Sequence, residues 1–157
     1  RMKINLVAVG NKMPGWVSEG YEEYSKRMPR ECALQLTEIM PARRSKNAQP
    51  EQWKREEGQR ILASIADNHH AVALEVTGKS WSTEDLSLHM QQWLSDGRDV
   101  ALMIGGPDGL DPSCLQRADQ KWSLSALTLP HPLVRIVLAE QLYRAWTILQ
   151  NHPYHRS

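Results

Sequence analysis

Residues 100–109 read VALMIGGPDG, and the fold class turns on this decapeptide. Val100–Ile104 is apolar at five consecutive positions. No position alternates with water, so such a strand belongs inside a parallel sheet covered by helices on both faces. The second half, Gly105, Gly106, Pro107, Asp108 and Gly109, puts three glycines at the carboxyl end of that strand. Open α/β sheets bind ligands at this end, and glycine lets backbone come close to a ligand. The other reading is a tight turn whose glycines serve only its backbone angles. The spacing fits neither familiar phosphate loop: no Lys followed by Ser or Thr is present, and the dinucleotide fingerprint is absent.

Outward from this point, short apolar runs alternate with helical periodicity, the pattern of an α/β domain with a largely parallel sheet. Strands are expected at 3–9, 34–39, 70–76, 100–104 and 122–129, and helices at about 14–27, 51–67, 82–96, 112–118 and 132–150. Val17, Tyr21, Tyr24 and Met28 form one sheet-facing stripe,. Trp53, Ile61, Leu62 and Ile65 form a second, and Leu86, Met90, Trp93 and Leu94 a third. Ser82 with Asp85 predicts a capping box, Gly97 a helix stop, and Asp111 with Pro112 a helix start. Residues 41–50 read as a mobile loop carrying Arg43, Arg44 and Lys46,.

The 157 residues suit one domain spanning 1–157, with Arg1 before Met2 reading as an added residue,. A chain of this length buries ~68–70% of its unfolded surface and needs no disulfide or structural metal. Cys32 and Cys114 are therefore expected to be plain thiols in a reducing, cytoplasmic setting,. No apolar run approaches the roughly 18 residues of a membrane span. The balance of 19 Lys+Arg against 18 Asp+Glu gives a net charge of +1. That excludes a partner attracted by bulk charge alone.

Three C-terminal features remain. SLSALTLPHPLVR, residues 123–135, offers the hydroxyls of Ser123, Ser125 and Thr128 as the wall of a small polar site, or else is an irregular strand end stopped by Pro130,. Within 133–149 only Arg135, Glu140, Gln141, Arg144 and Thr147 are polar. A helix apolar nearly all round needs cover on two sides, either from a second copy of the chain or entirely within the monomer. The tail His152, Pro153, Tyr154, His155, Arg156 combines a stacking ring, an imidazole and a guanidinium suited to single-stranded RNA, or is a frayed end,. His152 and His155 lack a third ligand, so no metal site is expected.

Taken together, GGPDG, SLSALTLPHPLVRIVLAEQLYRAW and NHPYHR, with LVAVGNKMPGWV, RSKNA and DGRDVALMIGG upstream, resemble the RlmH family of small SPOUT-class methyltransferases over essentially the whole chain. The resemblance implies a parallel-sheet α/β domain with a C-terminal trefoil knot and a homodimer formed through the last helix. It implies S-adenosylmethionine as cofactor, held by Leu74, Gly105, Gly106 and the run Leu124, Ser125, Ala126, Leu127, Thr128, Leu129. The implied reaction is methylation of N3 of pseudouridine 1915 in 23S rRNA on the assembled 70S ribosome. His131, Arg135, Tyr154 and His155 are the implied catalytic candidates, with Tyr154 and His155 expected to reach the partner's cofactor. Arg43, Arg44, Arg144 and Arg156 are expected to meet RNA. The competing reading is a non-catalytic RNA-binding or ribosome-associated module, which would need no cofactor pocket. A flavodoxin-like nucleotide binder lacks its phosphate loop here.

Overall fold

In the computed structural model, which describes residues 1–155, β1 (Met2–Val9) is flanked by β2 (Cys32–Ile39) and β4 (Val100–Ile104). The sheet continues through β3 (His70–Ser80) to β5 (Gln120–Ser123) at the edge. Every pairing is parallel, with Ile4 opposite both Leu34 and Val100, and His70 opposite Val100. Alternate side chains therefore feed two cores. Ile4, Leu6, Val72, Val100, Leu102 and Ile104 pack with α1 (Gly15–Ser25), α3 (Thr83–Asp96) and α5 (His131–Leu149). Val7, Val9, Ala71, Ala73, Ala101 and Met103 pack with α2 (Pro50–Ala63) and α4 (Pro112–Arg117). All five residues of β4 are buried, as its unbroken apolar run required.

The helix signals hold where capping chemistry supports them. Ser82 and Asp85 form the expected reciprocal capping box, and α3 ends at Gly97 in the left-handed region, φ 80°. Asp111 caps α4 by accepting from the Ser113 N–H, with Pro112 in the first turn. Cys32 and Cys114 are buried free thiols. Burial pushes Cys32 up to about 12 and Cys114 up to about 11, so both stay protonated and inert,.

Four expectations need correction. The strand expected over 122–129 is only Gln120–Ser123. Residues 124–130 leave the sheet because the Ser125 hydroxyl accepts from the Leu127 N–H at 2.9 Å, a local turn that replaces ladder bonds, and Pro130 has no N–H to give,. Its neighbour β3 is longer than expected: it bulges between Leu74 and Lys79, so that both pair with Trp122,. The helix expected to reach Asp67 stops at Ala63, where the Ser64 hydroxyl bonds the Ile61 carbonyl at 2.7 Å. Along α2, Trp53 is only half-buried, and the inward position is taken by Glu57, whose carboxylate accepts from the Ala42 N–H at 3.1 Å.

On α5, Leu138, Ala139, Leu142 and Ala145 are buried in the sheet-side core, and α1 and α3 flank it. Its C-terminal half is also covered within the same chain. The tail turns back, His152 donating to the Thr147 carbonyl at 2.8 Å, and Thr147 is buried. Leu133 at 40% and Trp16 on α1 at 53% stay exposed.

Truncating Leu102 to Ala, wholly buried in β4, is expected to cost about 2–5 kcal/mol in urea unfolding. Gly97→Ala should cost about 1–2 kcal/mol, because the open space around Gly97 leaves only its positive φ to oppose a side chain,.

Candidate functional site

The strands are parallel, so the segments leaving their carboxyl ends converge, and three of them enclose a cleft of about 480 Å³. One wall is the start of the β3 bulge, Leu74, Glu75 and Val76. The second is the β4–α4 loop from Ile104 through Gly105, Gly106, Pro107 and Gly109 to Leu110. The third is the β5–α5 linker, Ser123, Leu124, Ser125 and Leu127 to Pro130, followed by His131 and Val134 at the start of α5.

The glycine loop is a closed turn. Gly109 donates to the Gly106 carbonyl at 3.0 Å and has φ 85°. A Cβ on Gly105 would lie 2.5 Å from the Gly109 carbonyl carbon, closer than any side chain permits. Gly105 thus lets the loop fold back on itself at the cleft floor. The linker is fixed by the Ser125 hydroxyl on the Leu127 N–H and by Ser123, whose hydroxyl donates to the Ser125 carbonyl at 3.3 Å. Leu127 at 73% and Val76 at 71% are the most exposed large apolar side chains, and both stand at this cleft. An apolar, planar or methyl-bearing ligand would cover them.

Only two lining side chains can carry charge, Glu75 and His131. His131 is pushed below the usual histidine range, chiefly by burial and then by the Arg135 guanidinium. A hydrogen bond to the Gly105 backbone acts the other way. Arg135 lies beneath the cleft, 2% exposed. Its guanidinium donates to Glu38 Oε2 at 2.8 Å, to the Gly10 carbonyl at 3.1 Å and, from Nε, to His131 Nε2 at 3.4 Å.

Of the residues expected around the cofactor, Leu74, Gly105, Gly106, Leu124, Ser125, Leu127, Thr128 and Leu129 line this one cleft, and Ala126 does not. Glu75, Val76, Leu110 and Val134 also line it and were not foreseen. Glu75 and Val76 directly follow Leu74, so a longer reading of that strand end would have found them. Tyr154 and His155 lie elsewhere, along α5 and α3. The Tyr154 hydroxyl donates to Glu140 Oε2 at 2.7 Å, its ring meets Tyr143 edge-on at 4.8 Å, and Arg144 stands 4.9 Å over it. His155 approaches Glu84 at 3.3 Å. Burial and the Glu140 carboxylate push Tyr154 up to about 12, so it is a neutral phenol at pH 7. Arg144 is paired with Glu140 at 2.7 Å, and Arg156 lies outside the described residues.

The basic loop is not free. Arg44 pairs with Asp108 of the glycine loop at 3.3 Å and stands 5.1 Å over the Trp53 ring, while the Trp53 indole N–H donates to the same carboxylate at 2.6 Å. Trp53 therefore joins the basic loop to the glycine loop, which the helical periodicity had assigned to packing. Among the described residues, no group of His, Cys, Asp and Glu could hold a metal ion. No helix there is long and apolar enough to cross a membrane.

The family model described as "Predicted SPOUT methyltransferase" matches residues 2–155, the stretch that builds this parallel sheet and its strand-end cleft; the chain belongs to the SPOUT methyltransferases. SPOUT methyltransferases use S-adenosylmethionine as methyl donor. Within that class it falls in the RlmH family. It is 64% identical to the ribosomal RNA large subunit methyltransferase H of Hahella chejuensis, over 99% of both chains. It is 58% identical to the protein of that name from Methylococcus capsulatus, over 99% of this chain and 100% of the relative. In fold alone it resembles a probable methylase family protein from Haemophilus influenzae, at a TM-score of 0.56, 10% identity, and coverage of 99% of this chain and 70% of that one.

Two outcomes follow from this geometry. Asp108→Ala removes the shared partner of Arg44 and Trp53. Trypsin is then expected to cut after residues 43–46 about two to ten times faster, the range a single hydrogen bond supports, with global unfolding little changed. Because His131 is held below its ordinary value of 6.5, the unfolded chain binds more protons just below that pH. The stability His131 contributes is complete above about 6.5 and is lost as pH falls through the window beneath it. Urea unfolding at pH 7.5 and 5.5 should show this loss, and His131→Asn should reduce it.

Proposed function

We propose that the chain methylates N3 of pseudouridine 1915 of 23S rRNA in the assembled 70S ribosome, with S-adenosylmethionine bound in the strand-end cleft. The observation that carries this reading is the cleft itself. Its volume falls in the range of small-molecule sites, its walls are largely apolar with backbone groups between them, and a glycine that no larger residue could replace shapes its floor,. The names of the close relatives supply the large-subunit RNA.

When bound, the cofactor supplies an activated methyl on a cationic sulfonium. Glu75 gives the cleft a carboxylate facing that charge, and a neutral His131 adds no repulsion. Leu74, Leu124, Leu127 and Leu129 exclude water, and Gly105 and Gly106 admit close backbone contact. Ser125 and Thr128 would complete the linker wall beside the ligand. The target nitrogen gives up its proton as it takes the methyl, so one proton leaves per transfer.

The acceptor of that proton is sought in the tail of a second copy of the chain. Residues 151–155 line no part of their own cleft; Tyr154 packs against α5 and His155 against α3 instead. Arg43, Arg44 and Arg144 would then meet RNA phosphates, joined by Arg156. A trefoil knot is part of the same reading: β5 lies at the sheet edge, yet α5 returns to pack between α1 and α3. The enzyme would act in the cytoplasm, where ribosomes are.

Calorimetry with S-adenosylhomocysteine should show one saturable site per chain. Nucleoside mass spectrometry after methyl transfer should show a methylpseudouridine in 70S ribosomes and far less in free RNA or separated subunits. Mixing Gly105→Arg chains with chains lacking residues 152–157 should restore part of the unaltered protein's activity, and no recovery above either variant alone would overturn the composite site. A chain that binds RNA but neither the nucleoside nor a methyl donor would instead be a non-catalytic RNA-binding module.

A further inference from the structure

We propose that Arg135 and His131 are a positioning pair rather than an acid or a base. Hydrogen bonds running from Glu38 and Gly10 through Arg135 to His131 hold the imidazole as its Nδ1–H tautomer, fixed in the cleft wall that it shares with the glycine loop. The inference rests on the cleft being the cofactor site.

Arg135 is 2% exposed, so it cannot touch an RNA. A guanidinium has five N–H donors and no acceptor. Its Nε–H faces His131 Nε2 at 3.4 Å, so that nitrogen must present its lone pair, and the ring proton sits on Nδ1,. The Nδ1–H is then the ring's one donor, in the cleft wall that His131 shares with Gly105. The lone pair that would make His131 a base is already engaged, and a second ring proton would point at a permanent cation. The other guanidinium nitrogens reach Glu38 at the end of β2 and the Gly10 carbonyl just past β1. One buried side chain thus links β1, β2 and α5, and through His131 it reaches the wall of the cleft. The charged groups around His131 are Arg135 on its own helix, Glu38 across the sheet end and Glu75 on the facing cleft wall.

The direct test is a ¹⁵N–¹H spectrum of ¹⁵N-histidine-labelled protein, with the His131 signals identified by their loss in His131→Asn. The expected pattern is the Nδ1–H tautomer, unchanged from pH 8 to 6.5. An Nε2–H tautomer, or an imidazolium above pH 6.5, overturns the proposal. In calorimetry with S-adenosylhomocysteine, His131→Ala should lose about tenfold in affinity, the scale of one hydrogen bond. His131→Asn keeps an N–H where Nδ1–H stood, and should recover to within about threefold of the parent. Arg135→Met should weaken binding similarly, and the double variant His131→Ala/Arg135→Met should be no worse than the weaker single variant, because both break one chain. Arg135→Lys, which keeps the charge without the fork, serves if the Met variant does not fold, and should also bind more weakly.

In methyl transfer to ribosomes, His131→Ala should raise the KM for the methyl donor more than it lowers kcat, with the acid limb of the pH profile unmoved. The opposite result, parental nucleoside binding with transfer lost by more than about a hundredfold, would make His131 the proton acceptor. If the parent protein binds no nucleoside, the reading of the cleft fails, and the tautomer spectrum alone decides this inference.

Discussion

Because all five strands run in one direction, their carboxyl ends lie along a single edge of the sheet, and every loop able to form a site has to leave from there. The buried strand β4 enforces this arrangement. Both its faces are apolar, so it must have a strand on each side and helices above and below,. The loop that follows it is then flanked by the ends of β1 and β3. The cleft is the space left between loops whose starting points the sheet has fixed. The β3 bulge and the short β5 widen that space, since pairing that continued in register past Leu74 and Trp122 would leave neither the bulge nor the linker free to form walls.

A buried arginine in such a place needs a reason, because taking a guanidinium out of water costs several kcal/mol unless good hydrogen bonds replace the solvent. Arg135 has three partners, only one of which is charged, and Glu38 keeps contact with water. A well-packed apolar residue could fill the same volume. It could not bind a carbonyl beyond β1, a carboxylate on β2 and an imidazole on its own helix at once. The arrangement exchanges the simplicity of an apolar core for a fixed relation between the sheet ends and the cleft.

The legible part of the molecule was the part governed by local rules. Five strands and five helices, the Ser82 and Asp85 box, the Gly97 stop and the Asp111 cap follow from periodicity and capping, interactions that span a few residues. The cofactor residues converged because a resemblance named them, and the glycine loop alone pointed to that region. What stayed hidden depends on distant partners. Trp53 reads as a core residue from its helical spacing, yet Asp108, 55 positions away, takes its N–H to the surface. Glu57 lies outside the apolar stripe of its helix, yet it is buried, and the Ala42 N–H makes that burial tolerable. Residues 122–129 look extended in sequence, and only the Ser125 turn decides that they leave the sheet.

The charge balance acquires a different meaning once the pairs are located. Arg27, Arg44, Arg60, Arg98, Arg117, Arg135 and Arg144 each have a carboxylate partner within 4.0 Å. The net charge of +1 therefore includes seven of the twelve arginines already held by carboxylate neighbours. A phosphate approaching Arg44 competes with Asp108, and one approaching Arg144 competes with Glu140. A pair as open as Arg44 with Asp108 is worth only about 0–1 kcal/mol, so that exchange is cheap, whereas Arg144 and Glu140 are half-buried; neither brings much of the long-range attraction that gathers nucleic acid to a basic surface,. Affinity for RNA must then come from several contacts made together by shape. Each exchange also has a local consequence, because the carboxylate released from Arg44 belongs to the glycine loop and the one released from Arg144 holds the Tyr154 hydroxyl. Contact with a phosphate is thereby coupled, through single side chains, to the cleft and to the tail.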